Sequence, residues 1–124
     1  AEKHRSSGIV SGAGFVGPVD GRIAIVVDDL IAGGTTVARA ARACRDRGAA
    51  RVIAVASHGV FAPTASDVLG GPDVNRVRVT DSIPAPPMPA GPFAAKLHRL
   101  AIAPLVAEAI ARLHAGGAYC GFRD

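Results

Sequence analysis

The sequence predicts an α/β fold: a mostly parallel, doubly wound sheet flanked by helices, with a hairpin at its N-terminal edge. Three observations lead there. Apolar, β-branched runs alternate with stretches of helical periodicity, the pattern of strands joined by crossover helices. The strands read as continuous apolar runs, as expected of parallel strands covered on both faces. Composition agrees: 49% of the 124 residues are hydrophobic but only 4% aromatic, so the core is built mostly from Ala, Val, Ile and Leu. On length alone this is one domain with a sizeable core.

The elements follow in order. Residues 8–20, "GIVSGAGFVGPVD", read as two short strands around a glycine turn, the edge hairpin. "RIAIVV" (22–27) is a β-branched run suited to a buried parallel strand. From Thr35 or Thr36 a helix begins whose apolar residues, Val37, Ala40, Ala41 and Cys44, fall on one stripe, and Gly48 stops it. "RVIAVASHG" (51–59) is the next strand, and a short helix over 63–69 ends at "GGP". "NRVRVTDS" (75–82) is a third strand. "IPAPPMPAGP" (83–92) is too rich in proline for a helix or a central strand and reads as a loop. "KLHRLAI" (96–102) is a short strand. Pro104 then stands in the first turn of a final helix with Leu105, Ala109, Ile110 and Leu113 on its stripe.

Charge narrows the partners. The formal net charge is +4 and the pI about 9.8, which favours an anionic ligand. The basic residues are dispersed, and Arg39, Arg42, Arg45 and Arg47 read as the solvated face of one helix. No basic stretch is interleaved with aromatics, so nucleic acid is not the expected partner. Cys44 and Cys120 form no CxxC pair, and Cys44 on an apolar stripe reads as a small buried hydrophobe, compatible with a reducing cytosol. No apolar run reaches the roughly 18 residues of a membrane span. The N-terminus is charged but has no apolar segment of signal-peptide type.

"VVDDLIAGGTT" (26–36) carries the chemistry. A strand that feeds a glycine turn and a helix at the carboxyl edge of a parallel sheet is a usual ligand position. Gly33 and Gly34 admit close backbone approach, and amides of the turn and of the helix start converge on an anion. Thr35 and Thr36 add hydroxyls. Asp28 and Asp29 suit hydroxyls or a cation beside that anion, and a sugar phosphate satisfies both demands at once. The same stretch also reads as a plain strand–helix connection with Asp28 as a helix cap. A receiver-type phosphoacceptor site shares the acids, but not the "GGTT" that follows them. His4, His58, His98 and His114 lack ligand spacing and read as structural or surface residues, and the chain holds no metal-ligand set.

Taken with "AEKHR", "RVIAVASHGVF", "RVRVTDSIP" and "LAIAPLVAEAIARLH" in that order, the motif resembles the C-terminal part of the ribose-phosphate pyrophosphokinase family, which has the type I phosphoribosyltransferase fold. The resemblance runs from about residue 1 to 114. It implies transfer of diphosphate from MgATP to the 1-hydroxyl of ribose 5-phosphate, giving phosphoribosyl diphosphate (PRPP) and AMP, in a cytoplasmic homo-oligomer with no membrane or nucleic-acid partner. Asp28 would bind ribose hydroxyls with Asp29 close by; Ala32, Gly33, Gly34, Thr35 and Thr36 would wrap the 5′-phosphate. Lys3 and Arg5 match the Lys-x-Arg of the family's flexible catalytic loop and would stabilise the diphosphate. On the residues alone that terminus reads as a solvated basic end. Mg2+ would arrive with ATP, its ligands phosphate oxygens, water and one of the two aspartates.

The chain departs from the family pattern at Gly33, where a hydroxyl is usual, and at Thr35, where glycine is usual. The organisation implied is a flexible loop over 1–7, the hairpin over 8–20, an α/β core over 21–114 and a tail over 115–124. A partner domain and a first strand known in the family are missing from this pattern. The expectation is therefore an incomplete domain, inactive by itself. The rival readings are a PRPP-consuming phosphoribosyltransferase and a non-catalytic regulatory subunit, neither of which needs Lys3 and Arg5.

Overall fold

The computed structural model describes residues 18–84, 86, 87 and 90–118. Lys3, Arg5, Cys120 and nearly all of the expected hairpin lie outside these residues. The hairpin's last residue, Asp20, forms an antiparallel bridge to Ala49.

The chain runs β1 (Ile23–Ile31), α1 (Thr35–Asp46), β2 (Arg51–Gly59), α2 (Ala65–Gly70), β3 (Arg76–Thr80), α3 (Pro92–Lys96), β4 (Leu97–Leu100) and α4 (Ala103–His114). The strands form one parallel sheet in the order β1-β2-β3-β4. The expected parallel sheet with flanking helices is what forms. Within the four described strands the order never reverses. Right-handed crossovers that always step the same way must leave their helices on one face, and α1, α2 and α3 share that face.

Burial follows from this winding. Ala24, Val52, Ala54, Ala56, Val77 and Val79 point under the helices and are buried, while Ile23, Ile25 and Val27 on the other face of β1 are 57%, 61% and 74% exposed. From α1 the core takes Val37, Ala40, Ala41 and Cys44, the stripe read from helical spacing. Leu69, Val74 and an edge-to-face pair, Phe61 and Phe93, close it, with ring centroids 5.2 Å apart.

Besides β1, which runs on to Ile31, two elements differ from expectation. The loop read over 83–92 gives way at Pro92 to α3, a single turn with proline at its start, and Phe93 anchors it in the core. Helix α4 has the apolar periodicity expected of it, yet none of its residues is buried. Leu105, Val106, Ile110 and Leu113 are 46–62% exposed. Among the described residues no helix is long and apolar enough to cross a membrane.

Candidate functional site

Strand β1 does not stop before the acids. The apolar run read as the strand ends at residue 27, but the ladder to β2 continues through Asp28 opposite Ala56, Leu30 opposite His58 and Ile31 opposite Gly59. The carboxylates themselves satisfy amides along the strand. Asp29 N–H donates to Asp28 Oδ1 at 3.0 Å, and Leu30 N–H donates to Asp29 Oδ1 at 2.8 Å. Because strand residues alternate faces, half-buried Asp28 shares the helix-covered face with Ala24, and exposed Asp29 lies on the other.

After Ile31 the chain turns at Ala32 and Gly33. Gly34 then takes φ 80°, a left-handed conformation, and a Cβ there would stand 2.7 Å from Leu69 Cγ. Glycine is therefore demanded twice at position 34, by backbone and by packing. Position 33 differs: a Cβ would meet only Thr64 Oγ1 at 3.9 Å, so a side chain fits where relatives of the motif carry a hydroxyl.

Helix α1 starts at Thr35 with Gly34 as its N-cap, no capping side chain and no acid in its first turn. Its first helical bond of the turn is Ala38 N–H to Gly34 O at 2.9 Å. The amides of Thr35, Thr36 and Val37 precede that bond and have no intrahelical acceptor. They sit at the positive end of the helix dipole. Asp28 is thus not the helix cap.

One cavity of about 430 Å³ is walled by the unbroken run from Asp28 to Val37. It brings together Asp28, Asp29, Ala32, Gly33, Gly34, Thr35 and Thr36. Leu30, Ile31 and Val37, which the motif reading left out, complete the wall. Along that wall the strand end contributes carboxylates and the helix start contributes uncapped amides and hydroxyls. This arrangement can hold an anion and hydrogen-bond donors of the same small molecule. Among the described residues no group of three or more His, Cys, Asp or Glu side chains is placed to hold a metal ion.

The neighbouring strand end is built with equal care. Phe61 N–H donates to Ile31 O at 3.0 Å and Ala62 N–H to Ala32 O at 3.1 Å, so the chain leaving β2 is tied to the chain entering the turn. Phe61 holds φ 46°, unusual for a bulky residue. Its ring lies where a Cβ on Gly59 would be, 2.9 Å from Cζ. His58, read from sequence as structural or surface, is exposed, and its Nδ1 lies 2.7 Å from Ser82 Oγ. Ser82 Oγ and Thr80 Oγ1 both donate to Ser57 O, at 3.2 and 2.6 Å. No spacing rule links residues 24 apart. The only hint in the sequence was the "HG" step at a strand's end.

A parallel sheet with strand-end acids, a glycine turn and an uncapped helix start around one cavity defines an α/β domain with a candidate ligand site at the carboxyl edge, the usual position in such sheets. Residues 11–122 match the family model described as the phosphoribosyl synthetase-associated domain, and the chain belongs to that family. Over 100 residues it is 43% identical to a ribose-phosphate pyrophosphokinase of Parasynechococcus marenigrum (strain WH8102), covering 80% of this chain and 29% of that protein. Over 115 residues it is 38% identical to a putative ribose-phosphate pyrophosphokinase 2 of Lactococcus lactis subsp. lactis (strain IL1403), covering 93% of this chain and 33% of the other. The crystal structure of phosphoribosylpyrophosphate synthetase from Mycobacterium smegmatis matches with a TM-score of 0.69 at 35% identity, over 83% of this chain and 34% of that one. The chain spans about a third of the length of these relatives.

Proposed function

We propose that the cavity holds ribose 5-phosphate as the acceptor in ribose-phosphate diphosphokinase chemistry. The observation that carries this reading is a cavity whose wall includes both the strand acids and the uncapped start of a helix. The 5′-phosphate accepts from the amides and hydroxyls of the 32–36 turn, where the helix dipole favours a negative charge. Asp28 accepts from ribose hydroxyls, with Asp29 beside it, and so fixes the 1-hydroxyl end of the sugar. In the reaction the 1-hydroxyl oxygen attacks the β-phosphorus of ATP. The bond from that phosphorus to the oxygen bridging the α-phosphorus breaks. AMP departs with the electron pair, and the hydroxyl proton passes to solvent. Such transfer depends on positioning and on neutralising charge. Lys3 and Arg5, outside the described residues, supply cations for the diphosphate in this reading.

Magnesium fits as an ion carried by ATP: Asp28 and Asp29 lie on opposite faces of β1, so one carboxylate, with at most two oxygens, reaches an ion there, too few for a dedicated site. When bound, it screens the diphosphate charge. We assign the working protein to the cytoplasm as a homo-oligomer, following the family reading. Isothermal titration of the chain with ribose 5-phosphate and with ribose tests the site. The phosphate ester is expected to bind and the free sugar not; equal heats from the two would refute the phosphate assignment to the turn.

A further inference from the structure

We propose that His58 is a sugar-binding residue, its Nε2 hydrogen-bonded to the hydroxyl edge of the ribose remote from the phosphate. The inference rests on the ribose 5-phosphate reading and adds a residue from a second strand to that site. Placement comes first. His58 is the register partner of Leu30, which lines the cavity, so its backbone stands one strand spacing, about 4.8 Å, from the acid-bearing strand, beside the cavity wall. A ligand with its phosphate in the turn and its hydroxyls on Asp28 extends over this edge.

Orientation comes second. Nδ1 is engaged by Ser82 Oγ at 2.7 Å. This contact occupies Nδ1 and leaves Nε2 as the ring nitrogen open to a ligand, as donor or acceptor according to the tautomer. Ser82 is itself pinned, because its N–H donates to Thr80 Oγ1 at 3.2 Å. Among the described residues Nε2 has no protein partner. A network from β3 thus immobilises an exposed side chain, at an entropy cost that an exposed hydrogen bond hardly offsets. Ligand sites are commonly built this way, with the contacting residue fixed before the ligand arrives.

Rigidity of the base comes third. Gly59 admits the Phe61 ring, Phe61 sits at φ 46°, and the amides of Phe61 and Ala62 bind the carbonyls of Ile31 and Ala32. A strained residue clamped beside a cavity marks a segment whose position is over-determined. It holds His58 and the turn in one frame.

The test separates the two ring nitrogens. An asparagine amide reaches the place of Nδ1 and a glutamine amide that of Nε2. Calorimetry with ribose 5-phosphate on the 124-residue chain, on His58→Asn and on His58→Gln should show about tenfold weaker binding for Asn and less than about threefold for Gln. Repeating the titration with 1,4-anhydroribitol 5-phosphate and 2-deoxyribose 5-phosphate should find one analogue for which Asn and wild type bind alike, the missing hydroxyl being the one His58 contacts. Thermal melting of each variant guards against misfolding. Wild-type affinity in His58→Asn, the reverse order of Asn and Gln, or an equal loss with every ligand would overturn the proposal. If the unmodified chain fails to bind ribose 5-phosphate at all, the failure is that of the parent reading.

Discussion

Asp28 and Asp29 are adjacent in sequence but not equivalent in the fold. Strand alternation gives Asp28 the half-buried side that faces α1 and leaves Asp29 exposed. Asp28 is therefore the residue that a ligand can bury, and its charge-assisted hydrogen bonds are worth roughly 1.5–3 kcal/mol. Asp28→Asn should lower ribose 5-phosphate affinity on the order of tenfold or more, and Asp29→Asn by much less. An unchanged dissociation constant for Asp28→Asn would reduce this residue to its bond with the Asp29 amide. Both candidates were legible from residue type. The family resemblance already gave the ribose hydroxyls to Asp28, but the face that each acid takes was not legible, because the ladder running past residue 27 decided it.

At the scale of the element, α1 carries out two tasks. Its N-terminus offers unpaired amides, and its buried stripe fixes where those amides stand. Cys44 belongs to that stripe, and burial pushes its thiol pKa up from the usual 9.0, the Arg47 guanidinium pulling it partly back. The sign follows directly. The folded state keeps the proton that the unfolded chain releases, so the contribution is fully present below pH 9 and is lost as pH rises from that unfolded value through the higher folded one. Thermal stability followed from about pH 8 to 10 should fall more steeply in the wild type than in Cys44→Ala. Parallel slopes for the two proteins would place the thiol in water. The residues of the helix's basic side are less uniform than their spacing implied. Arg39 and Arg42 are solvated, but Arg45 donates to Ala49 O and Ala50 O at 2.9 and 2.8 Å and fastens the helix end to β2.

For the whole molecule, one-directional winding has an energetic consequence that mutation can read. Val77 is fully buried beneath the helices, whereas Ile25, on the opposite face of the same sheet, is 61% exposed. Val77→Ala should cost about 2 kcal/mol through lost burial and a residual cavity. Ile25→Lys should stay within about 0.5 kcal/mol. Chemical denaturation compares the two, and a comparable loss from Ile25→Lys would mean that this face is covered in solution.

The sequence by itself determined the alternation of strands and helices, the α1 stripe, the glycine turn into α1 and the family to which the chain belongs. Those features rest on local periodicity, glycine and hydroxyl placement, and short-range order, all of which are written into neighbouring residues. Tertiary structure alone decided that β1 runs on to Ile31, that Phe93 anchors an extra turn of helix, that Gly34 must also make room for Leu69, and that His58 is held by Ser82. Each of these depends on a ladder or a contact between segments well separated in the chain, where pairing and packing override local propensity.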